Sequence, residues 1–550
     1  MSKDSLIKGT LILTVAALVA RFIGVFQKIP LVHLLDDTGM GSYGIAFNLY
    51  SSLLVVATAG IPSALSKLVA ESTALGRQRE ADRIYRAAVW FSLASGFVMA
   101  VLLFALAPWY AESAGDPKAA LATQAIAPAM LMFPLIAVMR GYFQGRRRMM
   151  PNGVSQVIEQ VFRLAAAVGL AYALLHVGDV EAIAGASFGG VVGGAAALAV
   201  MVYYMLKLRR EDRVAASEAG KGNEDGASAP LMPYRVIYAK LLRLSVPIVL
   251  YSVVVTLIYL IDSRLLHPLL SGTFELEQRR ELLGILTGRA QSLAGIPIIL
   301  AIALSQSIVP IISAAYSSGN LEQVRSQTSR VLQISLLSGL PAVLLIAIAA
   351  RPIDGAIFGY EKTAYGYENA PYIIGLLTMG ALFQILMQTS GGVLMGMGKM
   401  KALIVSVGIG IAIKLAGTYA LAPFIGIYGL IVSTGLCFVA MTAFNLLVLR
   451  KEINFHVLGR KWIGLGLTTA VIVGLGIPLE LWTHGAVKLF AYSRMNEIVN
   501  AVIVAGWTVA AYAIGLVLFR VVTKNDIDKL PKPLQKLIGK GQKLMGRAGA

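Results

Sequence analysis

The sequence predicts an all-α polytopic membrane protein: fourteen transmembrane helices, two six-helix bundles in a pseudo-two-fold repeat, and two further helices at the C-terminal end. Three observations predict it. Of the 550 residues, 57% are hydrophobic and only 14% charged, against about 25% charged in an average soluble domain. The apolar residues gather in runs of roughly 20 or more, the length that crosses a bilayer as helix, not in the ~10-residue alternating segments of a membrane β-barrel. Mean hydropathy is +0.73. Together these exclude a soluble enzyme, a disordered chain and a fibrous protein.

The first apolar run, from Leu6 to about Leu35, is longer than a signal-peptide h-region and lacks an A-x-A-type cleavage site, so it is expected to stay as the first span. The runs then place helices at about 8–34, 43–70, 87–110, 119–140, 153–176, 182–206, 240–266, 284–315, 331–350, 370–395, 402–422, 427–449, 462–484 and 497–520. With the N-terminus inside, the outer loops carry only Lys118, Arg279, Arg280, Arg351, Lys362, Lys488 and Arg494. The remaining loop Lys and Arg fall on inner segments, including Arg146–Arg148, the connector after the sixth helix and the Lys-rich tail. The positive-inside rule therefore predicts both termini in the cytoplasm. The net charge of +19 is assigned to the inner leaflet and its anionic lipids rather than to nucleic acid.

The connector holds Gly220-Lys-Gly-Asn-Glu-Asp-Gly-Ala-Ser-Ala-Pro230, which reads as a flexible linker. The expected domains are a bundle over 1–206, a flexible cytoplasmic linker over 207–239, a bundle over 240–449, two extra helices over 450–520 and a basic cytoplasmic tail over 521–550. The two bundles look related. Gly141-Tyr-Phe-Gln-Gly145 after helix four and Gly392-Val-Leu-Met-Gly396 closing helix ten stand 251 positions apart. Arg148/Lys399 and Arg163/Lys414 match at the same offset. A repeat of six helices keeps both copies in one membrane orientation, the parallel arrangement of transporters.

No nucleotide-binding, nucleophile-elbow or zinc-protease motif is present. The single Cys437 and five scattered histidines give no metal-ligand spacing. No catalytic residue, metal or cofactor is expected; membrane potential or a monovalent cation is the candidate driving force. Chemistry instead concentrates in embedded charge. Arg21, Lys28, Lys67, Arg163, Arg264, Arg289 and Lys414 lie within or close to spans, against well-embedded acids only at Glu159 and Asp262. Charge inside a span costs roughly 2.5–3.5 kcal/mol on insertion scales, which makes each a functional candidate. Lys67/Glu71 and Glu159/Arg163 have i,i+4 spacing and read as ion pairs. Arg264 is placed to snorkel. Arg21 has no acid within four positions, and Thr14, Arg21 and Lys28 form one seven-residue stripe. The positive balance favours an anionic ligand, and arginine's fixed fork suits phosphate. Asn48, with Gln384 and Gln388 as an i,i+4 pair, adds neutral polar groups. The candidate substrate-binding residues are thus Arg21, Lys28, Arg289, Asn48, Arg163, Lys414, Gln384 and Gln388.

Ala20-Arg-Phe-Ile-Gly24, Ala59-Gly-Ile-Pro-Ser63, Arg140-Gly-Tyr-Phe-Gln-Gly145 and Val154-Ser-Gln-Val-Ile-Glu-Gln160 resemble the multidrug/oligosaccharidyl-lipid/polysaccharide flippase superfamily. They are similar in particular to its Gram-positive polysaccharide branch, which contains the MurJ-type lipid II flippases and the stage V sporulation protein B group. The resemblance implies transport of an undecaprenyl-pyrophosphate-linked oligosaccharide across the bacterial cytoplasmic membrane by alternating access, without ATP. Lipid II for peptidoglycan synthesis is the expected substrate. The alternatives are another lipid-linked polysaccharide unit, or drugs exported against a cation gradient. Arg21 and Arg289 match cavity arginines of the MurJ-type helices one and eight. A second helix-one arginine falls at Gln27, beside Lys28, and a helix-two arginine falls near Leu54. The helices over about 462–520 resemble the pair that forms a lipid-tail groove. Membrane lipids and the cell-wall synthesis machinery are the partners implied.

Overall fold

The computed structural model describes residues 3–521 apart from 59, 75–76, 147, 219–231, 360–363, 460 and 487–492. In chain order the elements are α1 (Lys3–Thr58), α2 (Ile61–Ala74), α3 (Gln78–Ser113), α4 (Ala119–Ile126), α5 (Ala129–Gly145), α6 (Met150–Leu174), α7 (Asp179–Glu218), α8 (Tyr234–Ser252), α9 (Val254–Leu269) and α10 (Leu276–Gly284). A π-helical turn, Ile285–Ala290, then leads into α11 (Gln291–Ser317), α12 (Leu321–Ile348), α13 (Ala350–Ile357), α14 (Ala364–Gly396), α15 (Met400–Ile425), α16 (Ile427–Glu452), α17 (Lys461–Ala486) and α18 (Ser493–Leu518). Twelve helical segments among the described residues are long and apolar enough to cross a membrane, and α8 with α9, bent by 48°, makes a thirteenth. The first of the twelve, Val15–Thr73, has 59 residues, about 88 Å at helical rise and nearly three hydrocarbon thicknesses. It breaks at Asp36 (φ 56°, ψ 176°). It therefore has room for two spans, which accommodates the fourteen predicted.

The chain divides into two compact units, residues 1–292 with 400–441, and 293–399 with 442–550. In the first, Tyr50, Leu65, Val69, Ile84, Leu103, Met130, Ile136 and Phe143 build a core shared by α1, α2, α3 and α5. Trp90, Phe97 and Phe104 recur every seven residues on α3 and stay more than half exposed, the lipid-facing stripe of a span. In the second, Leu336, Leu340 and Leu344 of α12 pack with Leu465, Ile472 and Tyr512 of α17 and α18. The Tyr512 hydroxyl donates to the Leu337 carbonyl at 2.8 Å. Below α14, Lys399 donates to Glu452 at 2.5 Å, which holds its ammonium above the usual lysine range.

The matched glycine pairs do matched work. A Cβ at Gly141 or Gly145 would overlap Pro62, Ser66 or Val69, so α5 lies directly on α2. A Cβ at Gly392 or Gly396 would overlap Ser305 or Ile312, so α14 lies on α11 in the same way. The fourth helix of each repeat thus packs through glycine on the second.

Three local expectations change. The second span is not continuous: the helix stops at Thr58 and restarts at Ile61, immediately before Pro62, which cannot donate to the preceding turn. Residues 207–218 are helix, not flexible linker, because α7 continues to Glu218. Arg146 pairs with Asp212 at 2.7 Å and Arg148 with Glu211 at 2.5 Å, tying that extension to the end of α5. The Gly220–Pro230 stretch and the basic tail lie outside the described residues. Lys67 and Glu71, both exposed, form no ion pair among the described residues.

Candidate functional site

The seam between α1 and α10 carries a cluster of buried polar and charged groups. The Arg289 guanidinium meets the Asp37 carboxylate in a bidentate pair, Nε–Oδ1 2.8 Å and Nη2–Oδ2 2.6 Å, with both residues buried. Arg289 reaches Asp37 because it sits on the π turn; one extra residue per turn shifts its bearing relative to an α-helix, and such turns are frequent at functional sites. The backbones are in contact there: a Cβ at Gly284 would fall on the Asp37 carbonyl. Two residues before Arg289, the Thr287 carbonyl accepts from Lys28 Nζ at 2.7 Å, and the same ammonium stands 5.8 Å from the Phe47 ring.

A second buried pair lies at the same end. Arg280 Nε and Nη2 donate to Asp116 Oδ1 at 3.0 and 2.8 Å, while Ser42 Oγ donates to Oδ2 at 2.5 Å. The α3–α4 turn, α10 and the second half of α1 are therefore fastened through one fully enclosed carboxylate. Arg279 donates to the His267 carbonyl at 2.7 Å.

Of the eight sequence candidates, the structure brings Lys28 of α1 onto the π turn that carries Arg289, two residues from it. Arg21 lies two helical turns further down the same α1 stripe, roughly 10 Å along the axis. It is exposed and makes no hydrogen bond or ion pair among the described residues. The others sit elsewhere. Asn48 donates to Ser263 Oγ at 2.7 Å, joining α1 to α9. Arg163 pairs with Glu159 at 3.4 Å, but Arg140 holds the same carboxylate more closely, at 3.0 Å, and Arg163 lies 5.4 Å from the Phe133 ring. Lys414 is completely buried. Its ammonium donates to Asp262, to the Leu430 carbonyl (2.8 Å) and to Ser433 Oγ (3.0 Å), so all three of its donors are used and none is left for a substrate. Gln384 is buried in the second unit, and the Gln388 backbone carbonyl accepts from Ser305 there at 2.9 Å.

Sequence reasoning missed Asp37, Asp116, Arg280 and Ser42 because they fall in segments read as outer loops. The available signal was the pair of acids in Leu34-Leu-Asp-Asp37 directly after an apolar run.

Residues 6–316 match the model of a family described as polysaccharide biosynthesis protein. The chain belongs to that family. Within it, the chain is 25% identical over 523 residues to the lipid II flippase MurJ of Bacillus subtilis (strain 168), covering 92% of this chain and 94% of that protein. It is 26% identical over 542 residues to stage V sporulation protein B of the same organism, covering 96% and 98%. Among solved structures, the lipid II flippase MurJ in an inward closed conformation superposes with a TM-score of 0.65 at 12% identity, over 93% of this chain and 99% of that one. An inward-facing multidrug resistance MATE transporter gives 0.62 at 13% identity, over 82% and 98%. The polysaccharide biosynthesis family member described here is thus a multi-span membrane protein of the flippase superfamily, on its polysaccharide transporter branch.

Proposed function

We propose that this protein is a flippase that carries an undecaprenyl-pyrophosphate-linked oligosaccharide, lipid II in the first instance, across the bacterial cytoplasmic membrane. The observation that carries the reading is Arg21: an exposed guanidinium in mid-span with no hydrogen bond or ion pair among the described residues, on the same α1 stripe as Lys28, whose ammonium bonds the turn that carries Arg289. A cation within a span without an acid is expensive, and a pyrophosphate supplies the missing charge through arginine's bidentate fork. With the N-terminus cytoplasmic, the two buried ion pairs lie at the outer face and close it. The sugar-pyrophosphate head then enters from the cytoplasm onto Arg21, while the prenyl tail stays in lipid. Opening the α1–α10 seam releases the head on the far side, with the membrane potential acting on the embedded positive charge at roughly 2.3 kcal/mol per charge per 100 mV.

Complementation tests this. Expression in a bacterium depleted of its lipid II flippase restores growth and lipid II exposed at the cell surface. Drug resistance without rescue in strains depleted for several lipid-linked glycan flippases supports export of drugs instead.

A further inference from the structure

His267 lies at the end of α9, fully buried, and neither ring nitrogen has a hydrogen-bond partner among the described residues. Buried polar atoms are normally satisfied, so an orphaned imidazole requires a reason. Its position supplies one. Gly115, at φ 82° in the α3–α4 turn, lies against His267 so closely that a Cβ there would overlap the His267 Cβ. The charged groups acting on the ring are Asp116 from that turn and Arg279 and Arg280 from α10. Asp116 is the carboxylate that fastens Arg280 and Ser42, and Arg280 also approaches Glu277 at 3.5 Å. On α1, Ser42 reaches the same Asp116 carboxylate and Asp37 is held by Arg289.

We propose that His267 is a proton-binding site that releases the outer closure: a proton taken from water on that side converts its ring to an imidazolium, which competes with Arg280 for Asp116. The charge count drives the competition. As a neutral ring His267 leaves Asp116 to Arg280. As an imidazolium it adds a third cation beside Arg279 and Arg280, and brings N–H donors on both nitrogens that the closed packing leaves without acceptors. Only separation of α10 from the α3–α4 turn lets water or Asp116 satisfy them. A ligand that is bound better by the open arrangement shifts the population towards it. The proton returns to water when the Arg280–Asp116 pair re-forms. This places outward opening under the control of the outside proton concentration. It rests on the reading of this end as the outer face.

The test uses the full chain in intact cells with Cys437→Ser. Met40, fully buried in the closed seam, and Ser271, exposed in the α9–α10 loop, are each replaced by cysteine and labelled with a membrane-impermeant maleimide. The Met40-to-Ser271 ratio cancels the reagent's own pH dependence. Between about pH 7.5 and about pH 5.5, either side of the ordinary histidine range, the ratio rises roughly fivefold, as a modest population shift requires. With His267→Gln it stays flat. A flat ratio in the parent chain, or an undiminished rise in His267→Gln, overturns the proposal. Where His267→Gln fails to accumulate, His267→Asn replaces it. Asp116→Asn, which loosens the fastening directly, raises the ratio at both pH values; failure to do so also overturns the proposal. An unlabelled Ser271→Cys marks failure of the orientation instead. The same ratio is then read in inside-out vesicles, where a flat result again refutes the role of His267.

Discussion

Arg289 stands in two roles, as the partner of Asp37 in the closed seam and as a proposed phosphate ligand, and a charge swap separates them. Removing one member of a buried ion pair leaves the other uncompensated and costs about 3–5 kcal/mol. Both members here are buried, and the pair is bidentate at 2.8 and 2.6 Å, so the upper half of that range applies to the closed state. Arg289→Ala and Asp37→Ala should therefore each open the seam, raising outside labelling of Met40→Cys by roughly three orders of magnitude, the equivalent of about 4 kcal/mol. The double swap Asp37→Arg with Arg289→Asp re-forms a pair of opposite polarity and restores most of the closure.

The swap does not restore the site, because the cation now projects from α1 and a carboxylate takes its place on the π turn. Complementation of flippase-depleted cells is lost in Arg289→Ala and stays lost in the swap, although the protein accumulates and closes. Asp37→Ala keeps Arg289 and retains measurable rescue. Full rescue by the swap would refute the reasoning, since Arg289 would then act only as a fastener.

Arg21→Ala abolishes complementation at normal membrane abundance and Arg21→Lys restores part of it, because lysine keeps the charge but loses the fork; Arg264→Ala, at a position read as snorkelling, is nearly silent in the same growth assay. Lys414→Met alone exposes the Asp262 carboxylate to an apolar interior and lowers thermal stability by an amount equivalent to about 3–5 kcal/mol. Adding Asp262→Leu recovers most of that loss in a detergent melting assay, which a substrate-binding role for Lys414 does not predict.

The spans were legible because hydrocarbon thickness sets their length and no soluble core competes with that rule. The repeat was legible for a similar reason: Gly141/Gly145 and Gly392/Gly396 are close-packing positions, and only glycine lets α5 and α14 approach their partners. Embedded charge gave a list of candidates but not their partners. Lys414 and Asp262 are 152 positions apart, Arg289 and Asp37 252 apart, and neither pairing has a periodic signature. The π turn was equally hidden, since Ile285–Ala290 has the composition of ordinary helix. Outer-loop acids were discounted because solvated charge is common. Burial of Asp37 and Asp116 comes from tertiary closure that no local pattern encodes.

The closed seam also holds strain. Asp36, next to Asp37, has φ 56° and ψ 176°, a region that essentially only glycine occupies and that costs another residue about 1–3 kcal/mol. Such a conformation persists only where the surroundings enforce it, and here the Arg289–Asp37 pair and the α1–α10 packing do. The strain is then released when the seam opens, which narrows the gap between the closed and open states. Asp36→Gly removes the strain and favours closure, while Asp36→Ala keeps the strain; both remove the same carboxylate, so their difference isolates the backbone. The expected separation in outside labelling of Met40→Cys is about 1–3 kcal/mol, with glycine the lower, and transport in the glycine variant slows accordingly. Equal labelling in the two variants would show that Asp36 keeps its backbone geometry in the open state, and that the turn moves as a rigid piece.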